Sequence, residues 1–419
     1  MRWPSRLAID VSPLRVSGQF RLLWSGSVVS AMGSQFARVG LYVQVYALTG
    51  SPAAVGLLGV SGLIGSLAGV VVGSAFIDRH DRRVTLIWTE LAAVGVSGVL
   101  FAGALAGDPP LWLLHAANAG TWFLAAIHGP ARQAAIPRLL SDDEVPAAVA
   151  LNQAGWQVSS IAGPALAGLL IGATGSTAAA YGVDVVSYVV GLVAAILLRP
   201  LPPDRVITER GTAAIAEGLR YLKNHRLLQS TFVIDLVAMI FGNPAALFPV
   251  IAVQQLHRGP EAVGLLFAAP AVGALLLTLV SGPLTTLHRQ GTAVVWAVVA
   301  WGAAIVGFGL AGANLVAALV FLALAGAADV VSAIFRSTIL QVTVPDHLRG
   351  RLGAVFFIVV TGGPKLGDVE AGLIAAVFGA PVSVVTGGIA CIVGAFVTAR
   401  VYPELPAYRV GMGSEAGAA

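Results

Sequence analysis

The chain has 419 residues, of which 57% are hydrophobic and only 11% charged, and its mean hydropathy is +0.86. Soluble domains carry about 25% charged residues, so this composition cannot cover a water-facing surface and excludes a pair of soluble domains. The net charge of +4 does not mark a nucleic-acid binder, because the basic residues are spread over many short loops.

Residues 1–20 are basic and mixed, without a cleavable apolar core, so the first span is expected to act as an uncleaved insertion signal. Cutting at charge, Pro and turn clusters predicts helices over 22–48, 53–77, 84–106, 111–131, 147–173 and 177–198. A second set is predicted over 227–252, 261–286, 292–311, 314–335, 352–378 and 381–399. A span requires roughly 20 residues, so the longer segments imply tilt or protruding ends. Inside lipid the backbone must satisfy its own hydrogen bonds, so the segments are helices rather than open strands. Between the two sets, 199–226 opens with LPPDR, a linker pattern, and continues through IAEGLRYLKNH, which reads as an amphipathic helix at the membrane surface.

With the N-terminus inside, all but three of the 24 Lys and Arg fall on the inward side. The exceptions are Arg258 in an outward loop and Arg38 and Lys365 within helices. The expected fold is therefore an all-α membrane protein of twelve transmembrane helices with both termini cytoplasmic. A repeat supports two six-helix bundles: one offset places Arg132 on Arg336, Asp142 on Asp346, Ala150 on Ala354, Gly163 on Gly367 and Gly168 on Gly372. The expected organisation is an N-terminal bundle over 1–198, a cytoplasmic linker over 199–226 and a C-terminal bundle over 227–419. Two parallel repeats with a site between them near the midplane suit transport.

The single cysteine, Cys391, lies in an apolar run and cannot form an intrachain disulfide. Charges inside spans are the sharpest local signals, since each costs about 2.5–3.5 kcal/mol at a helix centre. Arg38 shares a helix face with Gln35 and Tyr42, and that face is expected to line the substrate cavity. Lys365 and Asp368 are spaced to pair within one helix, a structural role, whereas Lys365 is also a cavity candidate. Glu370 projects away from Asp368 and needs another partner. Asp235, Asp329, Asp368 and Glu370 are the candidate proton carriers, although Asp329 can equally make a gate contact with Arg336. Asp184 and Glu90 lie nearer helix ends and are read as structural. His115, Asn118 and Trp122 share a face, and Asn118 and Trp122 are candidate substrate contacts or simply packed neighbours.

Residues 74–83 read SAFIDRHDRR, which resembles the signature loop of the major facilitator superfamily, G-x-L-A-D-R-x-G-R-R/K. Asp78, Arg79, Arg82 and Arg83 match, while Ser74 and Asp81 stand where the motif has Gly. SSIAGPALAG, 159–168, is similar to the Gly-Pro motif of the proton-coupled drug antiporters, with Gly163, Pro164 and Gly168 matching. FRLLWSGSVVSAMGSQ, QVYALTGS, GPARQAAIPRLL and GGPKLGDVEAG look like the siderophore-exporter branch of that superfamily, and the likeness runs from about residue 14 to 409.

The resemblance implies that Asp78, Arg79, Arg82 and Arg83, with Arg132 as partner, form a cytoplasmic gate latch. A carboxylate there is favoured by a helix N-terminus by roughly 0.3–1 kcal/mol. It implies that the motif at Gly163 packs the halves tightly and biases the protein toward export. It also implies that Asp235 and Asp329 lie on cavity-lining helices. The expected function is export of a small amphipathic molecule, a siderophore or a drug, by proton antiport and alternating access. An importer of a small metabolite is the alternative, and a membrane sensor a further one. No H-E-x-x-H, G-x-S-x-G, C-x-x-C or P-loop pattern occurs, so no enzyme activity, metal or cofactor is expected beyond a proton gradient. The expected partners are lipid, a small-molecule substrate and protons, with no nucleic acid and a monomer sufficing. The great excess of Arg over the two lysines, Lys223 and Lys365, hints at a GC-rich bacterial genome and a cytoplasmic-membrane location.

Overall fold

The computed structural model describes residues 10–77, 80–202, 211–282, 284 and 287–409, and these are all-helical. The long helices are α1 (Gly18–Thr49), α2 (Pro52–Ile77), α3 (Arg82–Leu105), α4 (Leu111–Ala135), α5 (Val145–Thr174), α6 (Thr177–Ile196), α7 (Arg226–Phe241), α8 (Pro260–Leu279), α9 (Gln290–Gly309), α10 (Leu315–Thr343), α11 (Asp346–Phe378) and α12 (Ala380–Val401). Short helices Ser12–Val16, Gly211–Lys223, Phe248–Gln254 and Glu404–Ala407 accompany them.

Among the described residues, nine segments are long and apolar enough to cross a membrane: α2, α3, α5, α6, Arg226–Gln254, α8, α9, α10 and α12. Helices α1, α4 and α11 have 32, 25 and 33 residues but carry more polar side chains. Large aliphatic side chains stand exposed along these helices, Leu279 and Val377 at 73% and Val316 at 70%. Such a surface is tolerated because its solvent is lipid rather than water.

The chain forms two compact units, one of residues 1–41 and 64–208, the other of 42–63 and 209–419. In the first, α3 packs along α6 and α4, and Phe20, Leu86, Ala131, Ile136, Leu151 and Leu198 close an apolar cluster. In the second, α9 lies against α10 and α12, α8 against α10, and α7 against α11 and α12. Small residues allow the approach. A Cβ built on Gly302 would lie 2.7 Å from the Gly388 carbonyl oxygen, and one on Gly388 2.7 Å from that of Gly302. The turn into α6 uses Gly175 at φ 64°, a left-handed position that glycine takes without strain, and Ser176 then caps α6 by accepting from the Ala178 N–H at 3.2 Å.

Three expectations are corrected. The helix expected over 227–252 breaks: α7 stops at Phe241, and a 3₁₀ turn (Ala245–Leu247) leads into Phe248–Gln254. Gly242 and Pro244 explain it, the first by backbone freedom and the second by its missing donor and ring. Helix α10 runs past the expected end at 335 to Thr343, because Arg336 is buried against a carboxylate rather than held in a loop. Helix α11 starts at Asp346, directly after Pro345, instead of at 352; Arg349 and Arg351 belong to its first turns rather than to a loop. The amphipathic helix Gly211–Lys223 does form, with Tyr221 and Leu222 packed on Leu228, Val344 and Leu352.

Candidate functional site

Three polar centres lie among the apolar helices. In the second unit the Asp235 carboxylate of α7, 1% exposed, is ion-paired with the Arg336 guanidinium of α10, 5% exposed. Arg336 Nε also donates to Ser332 Oγ at 3.1 Å, and its other terminal nitrogen is 3.9 Å from Asp329 Oδ1. One cation therefore faces two carboxylates. Ser332 and Asp329 lie one and two turns before Arg336 on α10, so helical geometry presents all three to α7.

The second centre is built on the break after α7. Freed from helical bonding, the Ala246 N–H donates to Asp368 Oδ1 at 3.1 Å, and Tyr42 Oη donates to Asp368 Oδ2 at 2.7 Å. Asn243 Nδ2 donates to the Pro364 carbonyl at 3.0 Å. Lys365 is buried on the same helix as Asp368. Tyr42 is further seated by the edge of Phe267, whose ring also meets Phe248. Glu370 is half-buried two residues beyond Asp368.

The third centre is a cavity of about 210 Å³ in the first unit, lined by Ser30, Thr89, Glu90, His128, Arg132, Asn152, Trp156 and Tyr188 among others. Glu90 is 4% exposed. It accepts from Ser30 Oγ at 3.4 Å, and His128 Nε2 is 3.7 Å from its Oε1. The other imidazole nitrogen is 3.1 Å from Thr89 Oγ1. Arg132, one turn after His128, donates to Asn152 Oδ1 at 2.7 Å, and Asn152 donates back to the Ala148 carbonyl at 3.0 Å.

The remaining sequence candidates are distributed as follows. Asp78 and Arg79 lie outside the described residues. Arg83 Nη2 donates to the Ile196 carbonyl at 2.7 Å, capping the exit of α6, and Arg82 Nη1 donates to the Pro202 carbonyl at 3.1 Å in the segment that follows. Asp81, where the motif has Gly, is the N-cap of α3: its carboxylate accepts from the Arg83 N–H at 2.8 Å and the Leu201 N–H at 2.9 Å. Gly163 and its neighbours pack within the first unit. A Cβ on Gly163 would lie 2.7 Å from Gln35 Cβ, Ser159 Oγ donates to the Val28 carbonyl at 3.3 Å, and Pro164 and Gly168 are buried in α5. Arg38 donates to Gln35 Oε1 at 3.4 Å. Asn118 is buried and Trp122 half-buried. From α4, Thr121, Ala125, His128 and Arg132 are among the residues that line the first-unit cavity. His128 was not among the sequence candidates, and Glu90, read from the sequence as structural, meets it at this cavity. The signal available was spacing, since His128 and Arg132 share a helix face.

The transmembrane secretion effector family matches residues 8–410. The enterobactin exporter EntS of Citrobacter koseri is 25% identical over 405 residues, 96% of each chain, and that of Shigella boydii serotype 18 is 26% identical over the same length and coverage. A solved bacterial homolog of the human lysosomal transporter Spinster, inward-facing and unoccupied, has a similar fold with TM-score 0.73, 15% identity and coverage of 94% of this chain and 99% of its own. The nucleoside transporter NupG gives 0.74 at 13% identity, covering 92% and 99%. The whole-length family match and this shared fold make the chain a multi-pass membrane transporter rather than an enzyme, and it belongs to the transmembrane secretion effector family of the major facilitator superfamily.

Proposed function

We propose that the protein exports a small amphipathic molecule, a siderophore or a drug, across the bacterial cytoplasmic membrane by proton antiport. The observation that carries the direction is the match to secretion effectors over residues 8–410, together with similarity to enterobactin exporters across 96% of the chain. In this reading α1, α4 and α11 also span, giving twelve spans with both termini cytoplasmic. The spans form two six-helix bundles joined by a cytoplasmic linker over 199–226, and one chain works alone. Asp78, Arg79, Arg82 and Arg83 serve the cytoplasmic gate with Arg132. Gly163, Pro164 and Gly168 favour export by close packing. Gln35, Arg38, Tyr42, Asn118, Trp122 and Lys365 are the proposed substrate contacts.

Coupling is assigned first to Asp235 and Asp329. Two carboxylates around Arg336 leave one negative charge uncompensated within the cluster, and a single proton balances it. Protonating either carboxylate would free Arg336 to favour the other, giving a two-state element that solvent access on alternate sides can load and unload. Asp368, which accepts from a phenol and an amide and so anchors the broken α7, is a further candidate carrier. Glu370 is the remaining candidate carrier.

Inverted membrane vesicles with an imposed pH gradient test the proposal, with enterobactin as the probe. Accumulation is expected to collapse on adding a protonophore and to fall at least tenfold in Asp235→Asn. Accumulation that ignores the gradient would refute proton antiport, and absence of any chain-dependent movement would refute export of this probe class.

A further inference from the structure

Glu90 differs from the carboxylates of the second unit in the partner it is given. Asp235 faces a guanidinium, which is charged at all accessible pH. Glu90 is as deeply buried, but its near contacts are the Ser30 hydroxyl at 3.4 Å and the His128 imidazole at 3.7 Å. Arg132, the fixed cation on the same face of α4, is engaged with Asn152. An isolated ionised carboxylate among lipid-embedded helices is costly, and an imidazole is the one partner whose charge can come and go near neutral pH. The adjoining cavity of about 210 Å³ gives room for several waters at about 30 Å³ each, so a proton has a medium through which to arrive.

We propose that Glu90 and His128 form a second proton-binding pair, seated in the first unit and distinct from the Asp235–Arg336–Asp329 cluster. Holding one proton, the pair is neutral either as carboxylic acid with imidazole or as carboxylate with imidazolium. Losing that proton to cavity water leaves one negative charge on the pair, in a cavity that Arg132 also lines. Thr89 Oγ1, 3.1 Å from Nδ1, fixes the ring so that Nε2 faces Glu90. The other groups facing the pair are Ser30 and the Ser187 carbonyl that Ser30 also contacts, Tyr188 at the cavity wall, and Asp184 on α6, which is held by the Ser97 hydroxyl. This deepens the proton-antiport reading and rests on it for its purpose, but its test needs no exported substrate.

The test is infrared difference titration of the full-length protein in detergent, from about pH 5 to about pH 9, where a His-linked pair titrates. Wild type is expected to show a protonated-carboxyl band that changes with pH and is missing in Glu90→Gln. In His128→Gln the midpoint of that band is expected to move by about one pH unit, tenfold in proton affinity. Thr89→Val, which removes the hydroxyl beside Nδ1 but leaves both members of the pair in place, is expected to move it less. A wild-type band unaffected by Glu90→Gln overturns the proposal, and so does a midpoint that stays put in His128→Gln. If Glu90→Gln fails to fold, the His128→Gln midpoint alone decides. Gradient-independent transport with these shifts intact would sink the antiport reading while leaving the proton pair standing.

Discussion

Arg336 is 5% exposed, and Asp235, 1% exposed, is its ion-pair partner. Replacing one member of a buried pair strands the other, at a cost of about 3–5 kcal/mol. Arg336→Gln is therefore expected to lower the unfolding temperature of the purified protein sharply, and Asp235→Asn added to it to restore part of the loss, as read by tryptophan fluorescence on heating. At the second centre, Tyr42→Phe removes the 2.7 Å donor to Asp368 and should cost about 1–3 kcal/mol by the same assay, because a buried carboxylate loses a hydrogen bond. The intramembrane charges were legible in the sequence because each is expensive in lipid. Their partners were not. Asp235 and Arg336 are far apart in sequence, and Tyr42 reaches Asp368 across most of the chain. His128 escaped because a single imidazole barely disturbs hydropathy.

Among the helices, two sequence features acquire a physical meaning only from what they touch. Asp81 departs from the signature loop, yet it caps α3 and receives the Leu201 N–H. Asp81→Ala is expected to destabilise by about 0.5–2 kcal/mol, the usual value of an N-cap, where Asp81→Asn or Asp81→Ser should retain most of the stability. Gly163 sits where a Cβ would come within 2.7 Å of Gln35 Cβ. Gly163→Val should overpack α5 against α1 and cost about 1–3 kcal/mol, measurable as a lower unfolding temperature. The break after α7 was written in Gly242–Asn243–Pro244, a strong turn signal. An unbroken apolar count carried the expectation past it, since hydropathy sums over a window and takes no account of where one backbone donor goes. The ends of α10 and α11 differ from the expected ones for the opposite reason: charge ordinarily marks a loop, whereas Arg336 is paired inside the helices.

For the molecule as a whole, sidedness is the prediction that the positive-inside asymmetry makes. The chain has a single cysteine, Cys391, which is buried, so a Cys391→Ser background accepts new cysteines for labelling. Arg258→Cys is expected to react with an impermeant reagent in intact cells, and Arg289→Cys only after the membrane is opened; the reverse order would invert the proposed topology. What the sequence determined by itself was the helical class, the apolar segments and the identity of the charges placed within them. The bilayer imposes these residue by residue: each backbone group must be satisfied within its own helix and each charge must be compensated. The tertiary structure alone decided which charges meet, where α7 breaks, and that Glu90 and His128 share a cavity. Those outcomes turn on side-chain atoms approaching within a few ångströms across different helices, and spacing along one helix carries no record of that approach.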